Sequence, residues 1–398
     1  LIATGNRRWG FAVASGILGW VLDAYDFFIL VFVMDALAAH FGVSKGSIVA
    51  TITATLVMRP LGAFLFGFCA DRWGRRIPLL CCVLYFSLIT ALTPLAPSFS
   101  VFLVLRALYG IGMGGYWGVG AALVMESCPV SLRGLFSGIL QAGYSLGYLL
   151  AALMARTLAP AVGWQWLFWS GLCLAVLIVL LILFSSDTYR QVSTEARPNL
   201  LRTIGAHWGN FVLLTVLMTL ITCLSHGTQD LYPDFLRVVH GFSLRSAANM
   251  AIFYNVGAVL GAVVFGRVSD WLGRRNSIYM ALLICLLAVP AWAFGGSVAW
   301  LAAGAFMMQF GVQGAFGVIP AHLNELAPEG ARGLFPGLVY QFGVLLGAPC
   351  VMVEYALRDS LGYARALAVF ELITFALLAA ALAVRREQRG RELMRADA

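Results

Sequence analysis

The chain has 398 residues, of which 61% are hydrophobic and only 11% charged. No soluble domain of this size carries such a balance, so a soluble enzyme or soluble binding module is excluded. The net charge of +8 needs no nucleic-acid partner, because the placement of the arginines described below accounts for it.

Apolar stretches long enough to cross a bilayer recur at 9–39, 47–70, 77–95, 99–124, 132–159, 164–186, 207–236, 246–269, 276–294, 298–324, 332–357 and 363–385. Their continuous apolar character excludes a β-barrel. The first lacks a cleavage-site pattern and is too long for a signal-peptide core. It carries Asp23 and Asp26, three residues apart and therefore on one helix face. Ionisable groups inside a membrane helix are costly and functional by default, so the pair is a candidate proton carrier. The static alternative is a pair held by arginine.

The second stretch carries Arg59, twelve residues before Asp71. At 1.5 Å per residue that is about 18 Å from the loop, near the middle of the membrane. A guanidinium there suits bidentate capture of a carboxylate. Arg106 lies in the fourth stretch, ahead of a glycine-rich run from Gly110 to Gly118. We expect Arg106 to pair with Asp23 or Asp26 as a proton switch and Arg59 to hold the anion. The reverse assignment, and a purely structural ion pair, stay open.

In the fifth stretch Gln141 and Tyr144 can hydrogen-bond a hydroxyl or carboxylate. The residues 187–206 form the longest polar stretch, a linker with Pro198 and a surface helix. This divides the chain into units at 1–186 and 207–398. The seventh stretch turns polar at Ser225-His226-Gly227-Thr228-Gln229-Asp230, followed by Tyr232-Pro233-Asp234. Gly227 and Pro233 are expected to break the helix and free backbone groups for a ligand. Gln309 and Gln313 in the tenth stretch and Tyr340-Gln341 in the eleventh are further candidates, with interhelical hydrogen bonding as the alternative.

Two loop motifs occur twice. Gly67-Phe-Cys-Ala-Asp71-Arg72-Trp-Gly74-Arg75-Arg76 returns 199 residues later as Gly266-Arg-Val-Ser-Asp270-Trp-Leu-Gly273-Arg274-Arg275. At the same spacing, Glu126-Ser-Cys-Pro129-Val-Ser-Leu-Arg133-Gly134 returns as Glu325-Leu-Ala-Pro328-Glu-Gly-Ala-Arg332-Gly333. The chain is therefore two similar six-helix halves with a substrate expected between them. Gly67 and Gly266 permit close helix approach. Asp71 and Asp270 can accept hydrogen bonds at a facing helix N-terminus. Arg75, Arg133, Arg274 and Arg332 can pair with Glu126 and Glu325, giving a latch that breaks when the protein opens inward; the alternative is that these arginines only set topology.

With the N-terminus inside, eighteen arginines fall on the inner side and six basic residues on the outer. Both termini are therefore expected in the cytoplasm. The eight cysteines show no CxxC spacing and read as small core residues. There is no metal-ligand cluster, phosphate loop or nucleophile with a positioned base, so neither enzyme activity, metal nor cofactor is expected.

The doubled G-x-x-x-D-R-x-G-R-R loop closely resembles the signature loop of the major facilitator superfamily, and the resemblance covers the whole chain. At the seventh stretch the chain resembles the sialate:H⁺ symporter family, which includes the fungal lactate/pyruvate permeases. Ser225, His226, Thr228, Gln229 and Asp230 match the pattern N-x-x-[ST]-H-x-[ST]-Q-D-x-x-x-T. Thr222 and Asp234 depart from it. Further similar stretches are Ser137–Tyr144, Ile319–Leu326 and Val339–Gly343. Where bacterial relatives carry an acid in G-G-E-[WY]-G, this chain has Tyr116, which leaves the first-helix aspartates as proton carriers.

The resemblance implies an all-helical bilayer protein that works as a monomer, taking up a small carboxylate with a proton by alternating access. Lactate or pyruvate is preferred over sialate, in a bacterial inner membrane. It also implies that His226, Asp230 and Gln341 help form the site. The rivals are a sialic or aromatic acid symporter and a membrane sensor that binds without transport.

Overall fold

The computed structural model describes residues 9–185 and 200–384. The expectations for Arg7, Arg8, Arg190, Arg197, Arg385 and the residues beyond it, and for most of the 187–206 linker, lie outside these residues.

The described chain is helical throughout, without a strand. The first half comprises α1 (Trp9–Phe32), the short α2 (Met34–Phe41), α3 (Lys45–Trp73), α4 (Arg76–Leu92), α5 (Phe99–Ser127), α6 (Arg133–Val162) and α7 (Gln165–Phe184). After α8 (Leu200–Ala206) come α9 (Trp208–Gln229), α10 (Tyr232–His240), α11 (Leu244–Leu272), α12 (Arg274–Phe294) and α13 (Val298–Leu326). The chain then runs through α14 (Leu334–Gly347), α15 (Cys350–Leu361) and α16 (Tyr363–Ala383). Together they supply 12 segments long and apolar enough to span a membrane.

The repeat is written into the helix ends. Ser44 and Ser243 cap α3 and α11 by accepting from Ser47 N and Ser246 N, each at 3.1 Å. Ser98 and Ser297 cap α5 and α13 in the same way. Left-handed glycines recur too: Gly42 with Gly241 (φ 63° and 67°) and Gly74 with Gly273 (φ 94° and 91°). Each pair is 199 residues apart, so the same local chemistry starts and stops corresponding helices.

Three spans are interrupted. The first ends at Phe32 and restarts at Met34, short of the expected 39. The seventh breaks at Asp230–Leu231 rather than at Gly227, which stays helical. Pro233 lies in the first turn of α10, where its missing N–H costs nothing. The eleventh breaks at Ala348–Pro349, ahead of α15.

The two six-helix bundles meet where α6 packs on α11 and α13, and α14 on α3 and α5. Glycine permits this approach: a Cβ on Gly67 would sit 2.7 Å from Leu334 Cα, and one on Gly266 2.5 Å from the Gly134 carbonyl oxygen. Outward faces carry large exposed apolar side chains such as Leu88, Leu287 and Met352, as a lipid-facing surface requires. The cysteines divide between both environments. Cys82, Cys128, Cys285 and Cys350 are buried, whereas Cys81 and Cys173 are exposed, so the expectation of core residues holds for only part of the set.

Candidate functional site

The repeated loops lie at one end of the molecule. Asp71 accepts from Gly333 N at 2.7 Å and Leu334 N at 2.8 Å, at the start of α14. Asp270 accepts from Gly134 N at 2.7 Å and Leu135 N at 3.1 Å, at the start of α6. Each carboxylate thus crosses to the other bundle and meets the positive end of a helix dipole. Arg75 ties Asp71 (2.6 Å) to Glu126 (3.0 Å). Burial alone would lower the Arg75 pKa, but Glu126 and Asp71 outweigh it and raise it above the ordinary value. Arg274 ties Asp270 (3.0 Å) to Glu325 (2.9 Å), and Arg133 reaches Glu325 from the opposite bundle at 3.3 Å. Arg332 is buried in the same region.

Further along the interface, away from these loops, lies a cavity of about 480 Å³. Its first-bundle wall is largely aromatic: Phe27 and Phe28 of α1, and Tyr144 and Tyr148 of α6, with Arg59 and Gln141 among them. Phe28 meets Tyr144 and Tyr148 edge-on at 5.1 and 4.9 Å between centroids, a preferred ring geometry. The opposite wall is more polar, with Ser225, His226 and Gln229 of α9, Asp230 at its C-terminal cap, Asn255 of α11 and Gln313 of α13. Tyr254, Phe316 and Tyr340 complete it. Tyr340 also stacks on Trp117 of the other bundle at 3.8 Å, between the cavity and the latch end.

The α9 residues are held from behind. His226 Nδ1 and Asp230 Oδ2 are 2.9 Å apart, one helical turn along, and both side chains are 42% exposed. Gln229 donates to Gln309 Oε1 at 2.7 Å, Gln309 donates to Thr228 Oγ1 at 2.9 Å, and Gln313 donates to Ser225 Oγ at 3.0 Å. Gln309 and Thr228 are buried behind the wall, so Thr228, expected in the site, orients a wall residue instead of lining the cavity. Gln341 is also absent from the wall. It is buried and donates to the Gly114 carbonyl at 3.2 Å, bridging α14 to α5. Tyr148, Tyr254, Asn255 and Phe316 are wall residues beyond the sequence-derived set.

Arg59 has no carboxylate within 4 Å among the described residues, and its Nε is without a partner. Buried guanidinium groups without a counter-ion are costly, so this edge of the cavity is prepared for an anion. Asp23 and Asp26 lie behind it, both fully buried and off the cavity wall. Asp26 accepts from Thr90 at 3.1 Å, and Asp23 is approached by the Tyr109 hydroxyl at 3.5 Å. One oxygen of each is unpartnered.

The expected Arg106–aspartate ion pair is not formed. Arg106 instead lies over the Tyr109 ring, 4.1 Å from its centroid, with Nε and Nη1 unpartnered. Tyr109 follows Arg106 on the same helix face and stands between it and Asp23, donating to the Asp23 carbonyl oxygen at 2.8 Å. Asp23 nevertheless lies within electrostatic reach of Arg59, and Asp26 of Arg106.

The family model of the Major Facilitator Superfamily matches residues 16–352. The chain belongs to that superfamily. It is 30% identical over 86% of its length to a carboxylic acid transporter protein homolog of Saccharomyces cerevisiae, and spans 60% of that protein. It is 25% identical to the sialic acid transporter NanX of Escherichia coli, over 86% of each chain. The structure is similar to that of the human organic anion transporter MFSD10 with a TM-score of 0.76 at 18% identity, covering 94% of this chain and 100% of that one. At that identity the likeness speaks for the fold alone. As a superfamily member the chain is a multi-pass membrane transporter and not an enzyme. Among the described residues no group of His, Cys, Asp and Glu is arranged to hold a metal.

Proposed function

We propose that this chain is a proton-coupled secondary transporter of small organic carboxylates. The observation that carries this reading is Arg59: a buried, unpaired guanidinium on the wall of a cavity between the two bundles. The names of the carboxylic acid and sialic acid relatives support an acidic cargo. The carboxylate sits on Arg59, the body of the substrate packs on Phe28, Tyr144 and Tyr148, and polar substituents meet His226, Gln229 and Asp230. A cavity of about 480 Å³ holds roughly sixteen waters' worth of volume. That favours a ring-sized or conjugated acid over lactate or pyruvate, which would leave much of the aromatic wall uncovered. Asp23 or Asp26 carries the proton.

In this reading both termini and the latch face the cytoplasm of a bacterial inner membrane, and the monomer transports. The closed latch with a cavity beyond it is the outward-facing state, and rocking of the bundles delivers the substrate inward.

Uptake by purified protein in liposomes, driven by an acidic exterior, tests the function across benzoate, sialate, lactate and pyruvate. Benzoate is expected to accumulate and to outcompete lactate by at least about tenfold, one good interaction's worth. Uptake of none of the four, or uptake indifferent to the pH gradient, sinks the proposal.

The latch makes its own prediction. Asp71→Ala removes two charge-assisted hydrogen bonds across the bundles, each worth about 1.5–3 kcal/mol. The equilibrium between outward- and inward-facing states should shift inward by at least about 100-fold. Spin labels on the two latch loops should report a longer separation; an unchanged distance distribution would show that Asp71 does not hold the halves together.

A further inference from the structure

The second bundle buries an acidic pair of its own. Glu354 of α15 and Glu371 of α16 are both 0% exposed, and none of their four carboxylate oxygens has a hydrogen-bond partner. They lie within electrostatic reach of one another. Neither is in an ion pair, although 0% exposure is where an ionised carboxylate most needs one. Arg358, one turn beyond Glu354, is turned away. It lies 3.8 Å from the Tyr355 ring centroid and pairs with Asp359 at 3.3 Å. Arg365, one and a half turns before Glu371, is exposed.

Among the described residues the remaining surroundings offer no cation either, apart from one histidine. On α9 the neighbouring titratable groups are Cys223, His226 and Asp230, with His226 already bonded to Asp230. On α15 there is Cys350, and on α12 Cys285 and Tyr279, whose hydroxyl donates to the Ala379 carbonyl. On α10, Asp234 accepts from Tyr363 at 2.9 Å. Two carboxylates so fully buried, and within electrostatic reach of one another, cannot both stay charged. A metal ion or sodium would need a shell of oxygen ligands, which thiols and two carboxylates do not supply. A proton needs only the pair.

The pair also has a route to the cavity. Gly227 lies between His226 and Thr228, and a side chain there would collide with Glu371 Oε1 and the Phe370 ring. Glu371 therefore rests against the backbone of the same α9 turn that presents His226, Gln229 and Asp230 to the cavity.

We propose that Glu354 and Glu371 form a second proton-binding site, holding one proton between them and coupled to the occupied cavity through the 226–230 turn of α9. The site lies in the bundle opposite Asp23 and Asp26, so the transporter carries protons in both halves. A substrate that engages His226 and Asp230 shifts the turn against which Glu371 rests, and thereby the proton held there.

This deepens the reading of the chain as a proton-coupled transporter, but its first test needs no transport. Infrared difference spectra of the whole protein, taken as pH is raised, should show loss of a protonated-carboxyl C=O band. Glu354→Gln and Glu371→Gln should each remove part of that band. Because the proton is shared, either variant serves if the other fails to fold. In liposomes the ratio of protons to substrate should fall by about half in each. Should substrate prove not to move with protons in the parent protein while the band is still lost in both variants, the transport reading fails and the site stands. A band unchanged in both folded variants overturns the site, as does a sodium dependence of binding that both variants abolish.

Discussion

Arg59→Ala is expected to abolish binding and uptake of the organic acid, weakening affinity by more than about 100-fold. The guanidinium is 4% exposed and lacks a carboxylate partner, so the substrate supplies the counter-charge. Removing one member of a buried pair costs about 3–5 kcal/mol, and each 1.4 kcal/mol is about a factor of ten. Arg59→Lys should recover only part of the loss, because an ammonium lacks the planar fork that grips both carboxylate oxygens. Equilibrium binding to detergent-purified variants measures this without depending on transport. A melting temperature alongside it separates lost affinity from lost fold, since Asp23 lies within reach of Arg59 and feels its removal. Binding within about tenfold of the parent protein would show that Arg59 is not the anion clamp.

How much of this was legible in the residues alone depends on the range of the interactions involved. The latch motifs could be read because they are short, charged and repeated, and the bonds from Asp71 and Asp270 to facing helix N-termini follow from local dipoles. His226, Gln229, Asp230 and Arg59 stand out because polarity inside an apolar run is costly. Tyr148 and Tyr254 give no such signal, since a tyrosine on a membrane helix is unremarkable until the opposing helix is known. The same limit explains Gln341 and Arg106. Gln341 turns to the Gly114 carbonyl because the glycines of α5 let α14 approach closely, and Arg106 settles over the Tyr109 ring, whose hydroxyl takes up Asp23. Neither is decided within one helix. Glu354 and Glu371 are each conspicuous as single acids in apolar stretches, but their meeting across α15 and α16 depends on the break at Ala348–Pro349.

Asp26→Asn is expected to cut accumulation driven by a one-unit pH gradient by about tenfold, the share of one coupled proton, while substrate exchange across the membrane continues. Asparagine can still accept from Thr90, as Asp26 does at 3.1 Å, so this link from α1 to α4 survives the change. What disappears is the capacity to bind and release a proton opposite Arg106. Exchange moves substrate in both directions without net proton movement, and it needs only Arg59 and the cavity wall. Asp23→Asn should behave differently. Asp23 is the carboxylate coupled to Arg59, so its neutralisation frees Arg59 to hold the anion more tightly and slows release as well as coupling. Measured together, accumulation and counterflow therefore divide the two aspartates: Asp26 should affect accumulation alone, Asp23 both. If the Asp26→Asn protein concentrates substrate as far as the parent does, Asp26 carries no coupled proton, and the buried glutamates of the second bundle become the sites to neutralise.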